Sequence, residues 1–327
     1  MTRVYVISEK RVEKLFSMKD AIKAVERCFA TYSDGKSGMP PIVTSYVKRY
    51  SGVLEIKSGY LETDCIGAKV ICYFEENPSK YGLPALAGVV VLNDLETGIP
   101  IAILNAAPIT ALRTGAAGAV AAKYLARRDS RSVGIIGTGV QGRYQLMGLN
   151  ELFSIDEVRA YDRIKDSSMR YASEMSSKLG LDVKAVEAPK DAVENADILV
   201  TATPSREPIV NSKWVRGGTH INAIGADEPG KQELDPQILK KAKVVVDCLA
   251  ECKVRGEINL AISEGIINLS NIHAELGDIV AGKKKGRESA GEITIFDATG
   301  MAIQDIATSF EIYNIAKEKG IGTTIAI

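Results

Sequence analysis

The feature that most constrains this chain is the hexapeptide Gly137-Thr138-Gly139-Val140-Gln141-Gly142, placed directly after the apolar run Ser-Val-Gly-Ile-Ile at 132–136. A lone G-x-G-x-x-G string is a weak signal. Here a β-branched run precedes it and a segment able to form a helix follows, the context a dinucleotide-binding turn requires. The first glycine would make the tight turn, the second would let backbone approach a pyrophosphate, and the third would let the helix pack closely on the strand. Thr138, Val140 and Gln141 complete the loop, and the N–H groups of the helix start would face the phosphate charge. The next strand-like run, Glu-Val-Arg-Ala-Tyr, leads to Asp162, about twenty residues past Gly142, where an acid would hydrogen-bond the adenosine ribose. An acid here favours NAD because it would repel the extra phosphate of NADP, while the adjacent Arg163 keeps NADP open. A plain Gly-rich turn is the bland alternative, and strand, helix and acid together disfavour it.

The surroundings repeat the strand-then-helix rhythm. SVGIIG, EVRAY, DVKAV, DILVTAT, THINAI, KVVVD and ITIFD read as strands, and such near-continuous apolar strands predict a parallel sheet covered on both faces. Thr201 and Thr203 follow one of them, so their backbone and hydroxyls would border the cofactor, although an ordinary strand-end turn explains them equally. Asn222, on the strand THINAI, is a further candidate for that pocket. Before this region lies TALRTGAAGAVAAKYLARR from Thr110, good helix material whose small residues allow another backbone to pack closely.

The flanks have a different texture. Ser17 and Asp20 form a capping-box-like start for a helix that carries Ile22, Val25, Phe29 and Tyr32 at helical spacing and should end at Gly35. Between Val43 and Asn105 short β-rich runs alternate with turns such as ENPSKYGLP, which reads as an α+β unit with its own sheet. A last helix from Met301 to Lys319 would return to that unit. The expected class is therefore α/β, a Rossmann dinucleotide-binding domain over residues 119–300 plus an α+β domain over 1–118 and 301–327.

Composition narrows the partners. At 327 residues the chain can build two domains. Its 41 Lys+Arg balance 41 Asp+Glu, so nothing draws it to nucleic acid or to an anionic membrane, and a small molecule is the expected partner. The opening residues lack the apolar core of a signal peptide and no apolar run is long enough to span a bilayer, so a cytoplasmic protein is expected. Cys28, Cys65, Cys72, Cys248 and Cys252 are odd in number and lack C-x-x-C spacing, which fits reduced thiols. Cys248 and Cys252 need a third ligand that His220 and His273 do not convincingly supply, so no metal is expected.

ITALRTGAAGAVAAKYLARRDS at 109–130, IIGTGVQG at 135–142, GTHINAIGADEPGKQELD at 218–235 and GEITIFDATGMAIQDIA at 291–307 together resemble the ornithine cyclodeaminase/mu-crystallin family over nearly the whole chain. TPSREPIV at 203–210 and the Gly-Ala-Asp form of 225–227 look closest to its archaeal alanine dehydrogenase branch. The resemblance implies that Lys69 and Arg113 hold the substrate carboxylate, with Lys69 also in the catalytic machinery, and that Asp227 acts on the substrate amine. The chemistry agrees: a guanidinium grips a carboxylate bidentately, and a carboxylate facing an amine can shuttle its proton. Without the resemblance, Lys69 facing solvent, Arg113 bracing its helix and Asp227 as a solvated turn acid would serve as well. The family also implies a homodimer built through the first domain, making it the substrate-binding and dimerisation domain.

The departures bear on the substrate. Ile42 stands where cyclodeaminases offer a further Arg. Glu55 resembles the acid with which cyclodeaminases address a distal amine, yet Lys57-Ser58 replaces the Met-Pro that usually follows. As a bland alternative, Glu55 pairs with Lys57 or Lys69. The leading expectation is an NAD(P)-dependent amino acid dehydrogenase or imino acid reductase. Ornithine cyclodeaminase, with NAD recycled in place, is the alternative, and a dinucleotide- and ligand-binding protein like mu-crystallin is the second.

Overall fold

The computed structural model describes residues 3–326 and divides the chain into two compact units. One contains the chain up to Arg113 together with the stretch from Met301; the other runs from Thr114 to Gly300. In chain order the first unit opens with β1 (Arg3–Ile7), α1 (Glu9–Leu15), α2 (Met18–Ser33), β2 (Ser37–Gly38), β3 (Val43–Val47), β4 (Gly52–Leu61) and β5 (Ile66–Phe74). It continues with α3 (Asn77–Tyr81), β6 (Leu86–Asn93), β7 (Pro100–Asn105) and α4 (Ala106–Leu125). The division falls inside α4, between Arg113 and Thr114, rather than at the 118/119 boundary drawn from sequence. The second unit holds β8 (Ser132–Ile136), α5 (Val140–Asn150), β9 (Glu157–Tyr161), α6 (Lys165–Leu179), β10 (Val183–Ala185), α7 (Pro189–Val193), β11 (Ile198–Thr201) and β12 (His220–Ala223). Then come α8 (Pro236–Lys241), β13 (Lys243–Val246), α9 (Leu249–Arg255), α10 (Ile258–Ser263), β14 (Ile272–Glu275), α11 (Leu276–Val280) and β15 (Thr294–Asp297). The chain returns to the first unit as α12 (Ala302–Glu318) and β16 (Thr323–Ala326).

The second unit is a parallel sheet in the order β10-β9-β8-β11-β12-β15-β13-β14. The chain starts at β8, winds outward through β9 and β10, then crosses back to β11 on the other side of β8. That reversal makes the carboxyl ends of β8 and β11 the topological switch point, the place where sheets of this kind bind ligands. Apolar layers cover both faces: Leu146, Leu149, Tyr171 and Met175 on one, Ala192, Val193, Ile238 and Ile258 on the other. The small residues of α4 do what their size permits. A Cβ on Gly148 of α5 would press on the Gly115 carbonyl at 2.7 Å, so the two backbones meet closely only because glycine occupies the contact.

The first unit is a mostly antiparallel sheet, β16-β1-β7-β6-β5-β4-β2 with β3 beside β4, in which β1 and β7 run parallel. Ser17 caps α2 through a reciprocal bond with Asp20, and the helix buries Ile22, Val25 and Phe29. It ends at Ser33, with Gly35 at φ 72° carrying the chain out of the helix. Helix α12 lies over β4 and β5 and against α2, burying Ile303 and Ile306. Strands β1, β14 and β16 carry no signal singled out from sequence. Each is four or five residues long, too short for alternation to declare itself.

Candidate active site

The glycine loop follows β8. Gly137 has φ 96°, in the left-handed region that side chains avoid, and a Cβ there would collide with the Ala202 carbonyl. A Cβ on Gly142 would run into the Gly137 carbonyl, whereas one on Gly139 would meet no atom within 4 Å. Two glycines are thus required by the fold, and the third leaves an open face. Gly139 is also the N-cap of α5, with no side-chain cap, so the helix start offers N–H groups toward that face. Arg143 donates to the Gly139 carbonyl at 3.1 Å and to the Thr138 carbonyl, and Tyr171 Oη donates to the Gly142 carbonyl at 3.0 Å. Val140 is 61% exposed. Gln141 Oε1 is buried with no hydrogen-bond partner among the described residues.

Asp162 follows the last residue of β9. Its Oδ2 accepts the Thr138 N–H at 2.9 Å and the Thr138 hydroxyl at 2.8 Å, and its Oδ1 accepts the Ile164 N–H at 2.9 Å. Burial would raise this carboxyl, but the donated N–H and hydroxyl bonds outweigh it and hold it below its ordinary range. The carboxylate therefore fastens the loop, and Oδ1, with one donor, retains acceptor capacity toward a ribose. Arg163 beside it is exposed.

Thr201 is fully buried at the end of β11, and the Thr203 N–H donates to Glu233. Asn222 is fully buried as well, but its side chain is occupied. Its amide nitrogen donates to the Gly118 carbonyl at 3.1 Å and to Gln145 Oε1 at 3.2 Å, while its oxygen meets His220 Nε2 at 2.9 Å. Burial, with Arg287 nearby, pushes the His220 imidazole down to about 3, so the ring is neutral. This network ties β12 to α4 and α5, a bracing arrangement that the sequence did not disclose. Asp227 lies in the turn after β12, with its side chain 54% exposed and 2.6 Å from Lys231 Nζ. Lys231 is raised above its ordinary value because Asp227 outweighs the effect of burial.

The first unit builds a buried charge cluster. Lys57 and Lys69 sit directly opposite each other on β4 and β5, both buried, a like-charge pairing that costs stability unless acids answer it. Asp305, on the first turn of α12, answers Lys69 with Oδ2 at 2.8 Å and Arg113 Nε with Oδ1 at 3.1 Å. Glu55 stands 3.5 Å from Lys57. Arg113 also donates to Gln304 Oε1 at 3.3 Å, Lys69 to Thr110 Oγ1 at 3.4 Å, and Gln304 Nε2 has no partner among the described residues. Burial, with Arg113 and Lys57 close by, pushes the Lys69 ammonium down to about 7 against the pull of Asp305. Burial would raise the Asp305 carboxyl, but Arg113 and Lys69 more than offset it and keep it ionised. Lys57, Lys69 and Arg113 thus gather around Asp305 and Glu55 in one buried cluster.

The structure thus brings Lys69 and Arg113 together on one carboxylate and joins Glu55 to the cluster through Lys57. Arg113 lies within α4, which begins at Ala106, not near the helix start that a beginning at Thr110 implied. Asp305 and Gln304 escaped the sequence reading, although both fall in the GEITIFDATGMAIQDIA segment. The available signal was an acid set among the apolar residues Met301, Ala302, Ile303, Ile306 and Ala307.

The sequence profile of the ornithine cyclodeaminase/mu-crystallin family matches residues 3–320. The chain is 46% identical to the alanine dehydrogenase of Archaeoglobus fulgidus over 98% of its own length and 97% of that protein's. It is similar to the solved structure of an archaeal alanine dehydrogenase dimer with bound NAD, at a TM-score of 0.95 and 45% identity, each chain covered completely. The Thermococcus litoralis Δ1-pyrroline-2-carboxylate reductase, solved with NADH and L-proline, gives a TM-score of 0.95 and 42% identity, with 98% of this chain and 100% of that one covered.

Proposed function

The chain belongs to the ornithine cyclodeaminase/mu-crystallin family, and from that premise we propose that it is an NAD-dependent oxidoreductase acting at the α-carbon of a small amino or imino acid. The observation that carries the substrate class is the pair Lys69 and Arg113 sharing Asp305, two buried cations on one acid, a setting suited to a further carboxylate. The dinucleotide fits the second unit: its pyrophosphate would lie on the open face at Gly139 and the N-terminus of α5, its ribose at Asp162, and its edge along Thr203, whereas Thr201, expected beside it from sequence, is fully buried and offers no surface to it. When bound, its nicotinamide supplies the hydride acceptor or donor.

The chain's own groups do the rest. Arg113 and Lys69 fix the carboxylate and so orient the α-carbon. Asp227 is assigned to the nitrogen, where its carboxylate accepts a hydrogen bond from the amine and takes a proton as the carbon–nitrogen bond gains double-bond character. Lys231, 2.6 Å from Asp227, pairs with that carboxylate until the substrate's nitrogen competes for it. A net dehydrogenase or imine reductase is favoured over a cyclodeaminase because Glu55 is engaged by Lys57 at 3.5 Å instead of standing open to a distal amine.

Exposed Val43, Tyr46, Ile66, Tyr73 and Val89 on β3, β5 and β6 support a homodimer formed through the first unit's sheet. No helix among the described residues is long and apolar enough to cross a membrane, and the free cysteines and NAD chemistry support a cytoplasmic setting. The test supplies NAD(H) with alanine, with pyruvate plus ammonia, with pyrroline-2-carboxylate and with ornithine, following absorbance and ammonia together. A net change in NADH with one of the first three is expected. Ammonia from ornithine without net NADH change would replace this reading with the cyclodeaminase.

A further inference from the structure

Glu233 is fully buried between β12 and α8, and each of its carboxylate oxygens is committed to a different turn. Oε1 accepts the Thr203 N–H at 2.6 Å, in the turn that leaves β11; Oε2 accepts the Gly225 N–H at 3.0 Å, in the turn that leaves β12 toward Asp227. The joint is tight: a Cβ on Gly225 would stand 2.5 Å from Thr203 N and 2.6 Å from Glu233 Oε2. Glu233 is itself held from behind. Its N–H donates to Glu257 Oε2 at 3.0 Å, and the Glu257 N–H donates to Asp297 Oδ1 at 3.0 Å, at the end of β15.

Burying a negative charge is expensive, and an apolar side chain of similar volume would fill the space at lower cost. What an apolar group lacks is two acceptors at fixed separation. A carboxylate only accepts, so both turns must present N–H groups to it in one geometry; a glutamine would turn an NH2 toward one of those donors and lose that bond. Burial pushes the Glu233 carboxyl up to about 7, against the pull of the hydrogen bonds it accepts, so the acceptor-only carboxylate is the form that dominates above that pH.

We propose that Glu233 is a positioning residue: it clamps the β11 and β12 turns in one register and thereby sets the pose of Thr203 along the dinucleotide and of Asp227 toward the substrate nitrogen. The inference rests on the roles given to Thr203 and Asp227 under the proposed function.

The experiment measures NADH affinity by fluorescence, kcat, KM for the amino acid and melting temperature on the full-length wild type, Glu233→Gln and Asp227→Asn. Glu233→Gln is expected to weaken NADH binding about fivefold or more and to lower kcat about tenfold or more, the scale of one lost buried hydrogen bond with its partner stranded. KM for the amino acid should change less than about twofold, because uniform binding at the carboxylate is untouched. A Glu233→Gln protein that melts earlier but keeps wild-type NADH affinity and kcat well below its melting point would overturn the proposal, leaving Glu233 a purely structural acid. If Glu233→Gln does not fold, Gly225→Ala strains the same joint and must give the same pattern; if neither folds, the clamp serves folding and the proposal is overturned. Asp227→Asn separates the two levels. Full turnover in that variant removes the parent reading, whereas an inactive Asp227→Asn beside a normal Glu233→Gln removes only the clamp.

Discussion

The Asp305 carboxylate lies 2.8 Å from the Lys69 ammonium with both side chains out of solvent, and its second oxygen holds Arg113 Nε at 3.1 Å. One acid on α12 therefore fixes two cations that reach it from β5 and α4. Sharing a counter-ion in this way leaves each cation incompletely neutralised, which is what an incoming carboxylate requires.

Asp305→Asn removes that counter-ion and strands Lys69 and Arg113 in the interior. Breaking a buried pair by deleting one partner costs about 3–5 kcal/mol, so the melting temperature should fall by several degrees. KM for the amino acid should rise at least about tenfold while NADH affinity, set in the other unit, stays near wild type. Equal losses in both affinities would mean that Asp305 maintains the fold and does not tune the carboxylate site.

Lys69 gives a pH signature. Its ammonium, pushed down to about 7 by burial, is lost as pH rises through that value, so the inhibition constant for a competing carboxylate that carries no amine should worsen above about pH 7. Stability should move the other way. Between about 7 and the ordinary lysine value the unfolded chain binds a proton that the folded chain does not, so unfolding free energy contributed by Lys69 rises with pH across that window. Lys69→Met should flatten both trends, and a wild-type inhibition constant that is level from pH 6 to 9 would contradict the assignment.

The glycine loop separates folding from binding. Gly137→Ala places a methyl against the Ala202 carbonyl at φ 96° and should destabilise the protein by about 1–3 kcal/mol. Gly139→Ala adds a methyl that meets nothing within 4 Å, so its melting temperature should stay within a degree or two of wild type while NADH affinity drops about tenfold or more, because the pyrophosphate needs that space. Unchanged affinity in Gly139→Ala would move the dinucleotide away from this face.

Local pattern disclosed the parts of the fold that repeat. The glycine hexapeptide after an apolar strand, the capping pair Ser17 and Asp20, and the small residues of α4 each have a local cause that can be read along the chain. What stayed hidden depends on contacts between residues distant in sequence. Asp305 meets Lys69 and Arg113 only because α12 returns across β5, and nothing in the spacing of a single acid announces a salt bridge to residues far upstream. Sequence offers Asn222 as a candidate for the cofactor pocket, yet its amide is spent on Gly118 and Gln145, partners that no periodicity points to. Glu233 likewise sits in a polar run where a solvated acid is the ordinary expectation; its two backbone donors come from turns that the parallel sheet brings together.

The central claim is that hydride passes between the substrate α-carbon and the nicotinamide and leaves with the reduced cofactor. It is tested most directly by supplying the amino acid that the assays identify, deuterated at the α-carbon, with NAD, and analysing the released cofactor by mass spectrometry. One deuterium in the reduced nicotinamide, absent from the product, is the predicted result. Deuterium returned to the α-carbon of a cyclised product, or exchanged into solvent, would contradict it.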